Sequence, residues 1–294
     1  MKPARFEYVA ARSVEEAVAA RAAHDDTVVL AGGQSLIPML NYRVAQPDAV
    51  IDINRVPGLG GISVADGAVR VGAMVRHRQL ELSDEAFAAN PLLREVMGNV
   101  AHIPIRNRGT ICGSLAHADA AAELPAALVC LGGSVTVQGT GGQRTVAASD
   151  LFMFHMTTTL QPDEIITEAL FPALPDGAGY AFVEMTRRHG DYAVAGICAV
   201  ITPDAGGGCA AASISACGIA EKPVRLPDVE AALVGTDLSE AAVRAAAAHV
   251  DGAVTNEDDG AGGRYRRKVA RTLIVRAVAT AVSRAAGNAG QGRA

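Results

Sequence analysis

Two stretches carry residue types and spacings that could do chemistry. The first is "AGGQS" (Ala31, Gly32, Gly33, Gln34, Ser35), set directly after the apolar run "TVVLA". Glycines lack a Cβ, so the chain can turn tightly there and present successive backbone N–H groups as a concave nest for an anion. Ser35 adds a hydroxyl, and a helix starting near Leu36 points its positive end at the same place. A pyrophosphate suits that chemistry. A Gly-Gly pair after a strand is also ordinary turn chemistry, and neither G-x-G-x-x-G nor the P-loop lysine is present. The second stretch, "RNRGTICGSLAHADAAAELPA" (106–126), again places small and hydroxyl residues, Gly109, Thr110, Gly113 and Ser114, before an apolar helix. Its run Ala116 to Ala122 keeps side chains small along a path where a large group could lie, although a tight loop packed under a helix gives the same pattern.

Other chemistries find less support. The five cysteines (Cys112, Cys130, Cys198, Cys209, Cys217) are odd in number, scattered and free of any Cys-x-x-Cys pair. That argues against a disulfide framework, an iron–sulfur cluster or a structural zinc in this chain. His102, His117 and His155 match no short ligand motif, so loop or core histidines are the expectation. With 26 basic against 31 acidic residues and no long run of either sign, nothing marks a nucleic-acid surface. No long apolar stretch free of charges or glycines predicts a membrane span, and "MKPARFEYVA" lacks the apolar core of a secretory signal, so a cytoplasmic protein is expected.

The elements that must position the two loops follow from the pattern. "RFEYV", "TVVLA", "AVIDI" and "AVRVGAM" read as strands, with a helix over "SVEEAVAARAAH" that Ser13 caps and Glu16 closes as a capping box. Two helical patterns, "RQLELSDEAFAA" and "PLLREVMGNVA", precede the second loop, and an apolar helix from about Ala120 to Leu131 follows it. "SVTVQG" and "RTVAASDLF" form a hairpin through Gly141-Gly142. Prolines and glycines cluster in "FPALPDGAGYAF" (171–182), which marks a domain boundary. Beyond it come three strands of an antiparallel sheet, two short helices and the helical "YRRKVARTLIVRAVATAVSRA"; the last residues, "GNAGQGRA", read as a disordered tail.

Both loops, with "LIPMLNYRVAQPDAVIDINRVPGL", "TRRHGDYAVAGICAV", "CGIAEKPVRLPDVEAALVG" and "YRRKVARTLIVRAV", resemble the FAD-binding medium subunit of the molybdenum hydroxylases, of the carbon monoxide dehydrogenase type within the xanthine dehydrogenase family. The resemblance implies an α+β fold: a two-subdomain FAD-binding domain over 1–175, a C-terminal domain with a three-stranded antiparallel sheet and helices over 176–286, and a tail over 287–294. It implies that the backbone amides of Ala31 to Ser35 cradle the FAD pyrophosphate, with Thr110, Gly113 and Ser114 closing from the other side. Glu123 then lies on the sugar or adenine side, Ile166 near the flavin and Tyr192 against the isoalloxazine; a surface glutamate and a sheet-edge tyrosine are the plainer readings of Glu123 and Tyr192. Many relatives carry two glycines where this chain has Cys112-Gly113, and a packed, inert thiol is expected at that departure.

By the same resemblance the chain is an electron-transfer subunit with no catalytic residue of its own. The molybdenum cofactor and two [2Fe–2S] clusters are expected on a large and a small partner subunit, in a dimer of heterotrimers. Two rivals stay open: a self-sufficient FAD oxidase or reductase, and a structural subunit that has lost flavin.

Overall fold

The computed structural model describes residues 1–256 and 262–291. Three sheets, with a two-stranded ribbon of Phe152–Phe154 and Thr157–Thr158, organise them. The first is a small parallel sheet in which Ala49–Asp52 lies between Glu7–Ala10 and Thr27–Leu30. Its central strand is almost wholly buried, as its sequence "AVID" requires. Ser13 caps the intervening helix Val14–Ala22 by accepting from the Glu16 N–H, and the Glu16 carboxylate reaches back to the Arg12 N–H at 2.8 Å. Leu30 is the last residue of Thr27–Leu30 in register, opposite Asp52, so the chain leaves the sheet one residue before the glycines.

The second sheet is antiparallel, in the order Ile62–Ala65, Ala68–Gly72, Ile165–Pro172, Ser134–Gly139 and Gly142–Ala147. The third joins Gly179–Met185, Ala195–Pro203 and Cys209–Cys217, the three long strands marked by the sequence, to a two-residue edge strand, Val224–Arg225. One face of this sheet packs on the helix Glu123–Leu131, the other on the long helix Gly263–Gln291. Ser215 donates to the Ala126 carbonyl at 2.6 Å and the Gly218 N–H to the Ala120 carbonyl at 2.8 Å, which ties the third sheet to the segment around the second loop. One apolar core accordingly runs from the first two sheets into Phe182, Cys198, Val200 and Cys217, and a second lies between the third sheet and the C-terminal helices.

Some elements differ from the sequence reading. The two helical patterns before the second loop are three helices, His77–Glu81, Asp84–Ala89 and Leu92–Asn99, because Ser83 breaks the run and caps the second by accepting from the Ala86 N–H. The apolar helix begins at Glu123 rather than near Ala120. Ala118, at φ 53°, closes the preceding helix Ile111–His117, and the Asp119 carboxylate takes the Ala121 N–H at 2.8 Å. The final helix takes in the first five residues of the expected tail; 292–294 lie outside the described residues.

Candidate functional site

The two loops lie side by side. A Cβ built on Gly32 would lie 2.5 Å from the Arg108 carbonyl oxygen and 2.7 Å from Gly109 Cα. The missing side chain at 32 is therefore filled by the second loop, and the bareness read in the sequence as room for a ligand is here room for that close approach. Gly33 is needed for another reason: its φ of +72° lies in the left-handed region. Asn54 joins the loops from below, donating to the Ala31 carbonyl at 2.9 Å and accepting from Arg76 Nη2 at 2.7 Å. Arg76 also donates to the Arg108 carbonyl, and the His77 N–H to the Gly109 carbonyl at 2.9 Å.

This packing leaves the first loop's donors free. Among the described residues, the N–H groups of Gly32, Gly33, Gln34 and Ser35 make no hydrogen bond within the chain, and Ser35 begins the helix Leu36–Asn41 without using its hydroxyl as a cap. Four consecutive unpaired amides at a helix start are the nest that an anion requires. The second loop is less open. Thr110 Oγ1 accepts from the Gly113 N–H at 3.1 Å, the Ser114 N–H goes to the Thr110 carbonyl and the Ile111 N–H to the Val75 carbonyl. Its remaining donors are the hydroxyl protons of Thr110 and Ser114 and the backbone N–H groups of Thr110 and Cys112.

A cleft of about 720 Å³ opens along both loops, and all eleven residues singled out from the sequence line it: Ala31, Gly32, Gly33, Gln34, Ser35, Thr110, Gly113, Ser114, Glu123, Ile166 and Tyr192. Cys112 also borders it, but its thiol is buried, bonds weakly to the Val71 carbonyl at 3.6 Å and is pushed far up in pKa by burial, as an inert packing group should be. Glu123 is 6% exposed, so the plain reading of a surface glutamate fails; burial, with the negative charge of Asp119 beside it, raises its pKa to about 7. Tyr192 is 55% exposed and so stands where the cleft meets solvent. The sequence reading missed His77, which lines the cleft from the start of its own helix, and Arg21, another lining residue, whose Nε donates to the Pro162 carbonyl at 2.8 Å. No group of three or more His, Cys, Asp or Glu among the described residues is placed to hold a metal ion.

A long cleft with an amide nest on one wall, apolar residues along its length and a buried carboxyl fits a dinucleotide such as FAD. The chain belongs to the FAD-binding subunit family of the molybdenum hydroxylases. Residues 4–174 match the family model described as the FAD binding domain in molybdopterin dehydrogenase, and residues 180–281 match the CO dehydrogenase flavoprotein C-terminal domain.

Among its relatives, subunit alpha of the 6-hydroxypseudooxynicotine dehydrogenase complex of Paenarthrobacter nicotinovorans is 43% identical over 97% of each chain. The nicotine 6-hydroxylase medium subunit of the same organism is 38% identical over 97% of this chain and all of that one. In structure, a chain of the carbon monoxide dehydrogenase of Hydrogenophaga pseudoflava superposes with a TM-score of 0.93 at 37% identity, covering 97% of this chain and 99% of the other.

Proposed function

We propose that this chain relays electrons within a molybdenum-containing hydroxylase, receiving them from [2Fe–2S] clusters of a small partner subunit and passing them to an external acceptor. The observation that supports this most directly is the cleft, which pairs a free amide nest with an end open to solvent at Tyr192. Bound FAD supplies a carrier that accepts electrons singly and releases them in pairs. The chain's own part is to hold and orient it: the amides of Gly32 to Ser35 and the Ser35 hydroxyl take the pyrophosphate, Glu123 accepts from ribose hydroxyls, and Ile166 and Tyr192 flank the flavin. Oxidation of the substrate then belongs to a large molybdenum subunit, in a cytoplasmic dimer of heterotrimers. Among the described residues no helix is long and apolar enough to cross a membrane.

The domain division follows the same reading, with residues 1–175 forming the FAD-binding domain and the sheet and helices over 176–286 bracing the second loop and contributing Tyr192 to the cleft. The experiment is anaerobic rapid mixing with spectra that resolve flavin from clusters. The isolated chain is expected to keep its flavin oxidised when substrate is added; with both partners present, substrate should bleach it after the clusters. Reduction of the isolated chain by substrate would overturn the relay in favour of a self-sufficient FAD enzyme.

A further inference from the structure

Arg21 lines the cleft but has no role in the account above. It is half-buried on the last turn of the helix Val14–Ala22. A guanidinium carries five N–H donors and no acceptor, and the Pro162 carbonyl takes only the one on Nε. Among the described residues its two terminal amino groups make no hydrogen bond, and neither is sealed from solvent. The neighbouring carboxylates are engaged elsewhere. Asp163 accepts from the Thr140 N–H at 2.7 Å and from the Thr140 hydroxyl at 2.6 Å, and Glu164 is gripped by Arg144 through two bonds of 2.6 Å. No other arginine and no lysine is among the described residues that line the cleft.

The place of Arg21 along the cleft says what it meets. The lining takes in Thr27, Val28 and Val29 as well as the nest that follows Leu30, so the cleft runs the length of that strand, about 10 Å at 3.3 Å per residue. The helix ends at Ala22 and the strand begins at Thr27, so Arg21 stands at the end of the strand opposite the nest. We propose that Arg21 is a further ligand-binding residue of this cleft, donating from its amino groups to the ring nitrogens of the purine base of the bound dinucleotide. The assignment rests on the reading of the cleft as an FAD site, in which the nest holds the diphosphate and the nucleoside extends from it along the strand. A base suits this end better than a second phosphate. The negative charge of Asp163 acts on the guanidinium and offsets part of its positive charge, so a further anion gains little there. Val29, Leu160, Pro162 and Ile165 offer apolar walls to the faces of a flat ring. The edge of a purine presents unprotonated ring nitrogens, the acceptors that a group able only to donate requires.

The test uses the full apo-chain with four probes: FAD; ADP-ribose, which has the diphosphate and the base without the flavin; FMN, which has a flavin and a phosphate without the base; and inorganic pyrophosphate. Arg21→Met keeps the apolar stem and removes the donors. It is expected to weaken FAD and ADP-ribose about tenfold each by calorimetric titration, the loss of roughly one hydrogen bond from a charged donor, and to leave FMN and pyrophosphate unchanged. In the parent chain, the arginine reagent phenylglyoxal should modify Arg21, read by peptide mass spectrometry, and ADP-ribose but not pyrophosphate should shield it. That measurement does not depend on the stability of any variant. Equal weakening of pyrophosphate and ADP-ribose would overturn the assignment and make Arg21 a charge that draws phosphate; so would reaction of Arg21 with phenylglyoxal at the same rate with and without ADP-ribose. Failure of the parent to bind FAD while still folded would instead overturn the cofactor reading on which the proposal stands.

Discussion

Gly32 and the Arg108 carbonyl are so placed that the smallest side chain at 32 would lie 2.5 Å from the oxygen. The backbone at 32 is not in the left-handed region, so alanine is conformationally acceptable there and the obstacle is contact alone. Gly32→Ala should therefore push the two loops apart, at a cost of about 1–3 kcal/mol in stability, typical of overpacking. Because the loops form the cleft wall, FAD affinity should fall in parallel. Thermal melts of the apo-chain and flavin fluorescence titration check the two effects separately.

At Gly33 the mechanism changes. Its φ of +72° strains any L side chain, and a Cβ would also meet the Ile37 side chain at 2.9 Å. Gly33→Val should weaken FAD binding by more than about 1.4 kcal/mol, a tenfold change. Ser35→Ala removes one hydroxyl that does not cap its helix and should cost less, roughly 1 kcal/mol. Titration of both variants against the parent tests the order; equal affinity of Gly33→Val and parent would remove this loop from the site.

Asn54 and Arg76 span the loops in series, through Ala31 on one side and Arg108 on the other. Removing either should release the same restraint. Arg76→Ala and Asn54→Ala are each expected to weaken FAD, and the double variant should be little worse than the single ones, with a coupling of about 0.5–1 kcal/mol in a double-mutant cycle. Strict additivity would mean that the two side chains act independently.

The loops themselves were legible in the sequence because glycines and small residues interrupt the hydrophobic period where a backbone must face a ligand. What those glycines touch was not. That Gly32 is filled by Arg108 and Gly109 depends on a contact between segments remote in the chain, which no local pattern encodes. His77 was hidden for a related reason: within "VRHRQLEL" it reads as one more polar helix residue, and only the packing of the second loop over it makes it buried. Glu184 sits in the strand "AFVEM", where a carboxylate suggests a solvent-facing position, but one of its carboxylate oxygens, Oε2, is buried and unpaired. By contrast, the Ser13 cap and the hairpin are local devices and were readable nearly to the residue: the Glu16 carboxylate takes the Arg12 N–H rather than the Ser13 N–H of a full capping box, and the turn is Thr140-Gly141, with Gly142 already paired to Gly139.

Glu123 and Glu184 make the stability of the chain depend on pH. Burial raises both carboxyls above the ordinary value of 4.5, Glu123 to about 7, aided by the charge of Asp119, and Glu184 to about 8, aided by the charge of Glu123. A carboxyl with a raised folded pKa binds its proton more tightly in the folded chain than in the unfolded one. Stability is then greatest at low pH and is lost as pH rises from 4.5 through about 8. His77 works in the opposite sense, but only between about 4 and 6.5, since above that range its ring is neutral in both states. The buried thiols begin to matter only above the ordinary cysteine value of 9. Between pH 6.5 and 8.5 the carboxyl pair should therefore dominate, and the melting temperature of the apo-chain should fall steadily across that window. Glu184→Gln removes one of the two carboxylates that must otherwise be charged side by side, so it should flatten the slope and raise the melting temperature at pH 8.5 relative to the parent. A parent melting temperature that stays level or climbs from pH 6.5 to 8.5 would show that the two carboxyls are already ionised and solvated in the folded chain.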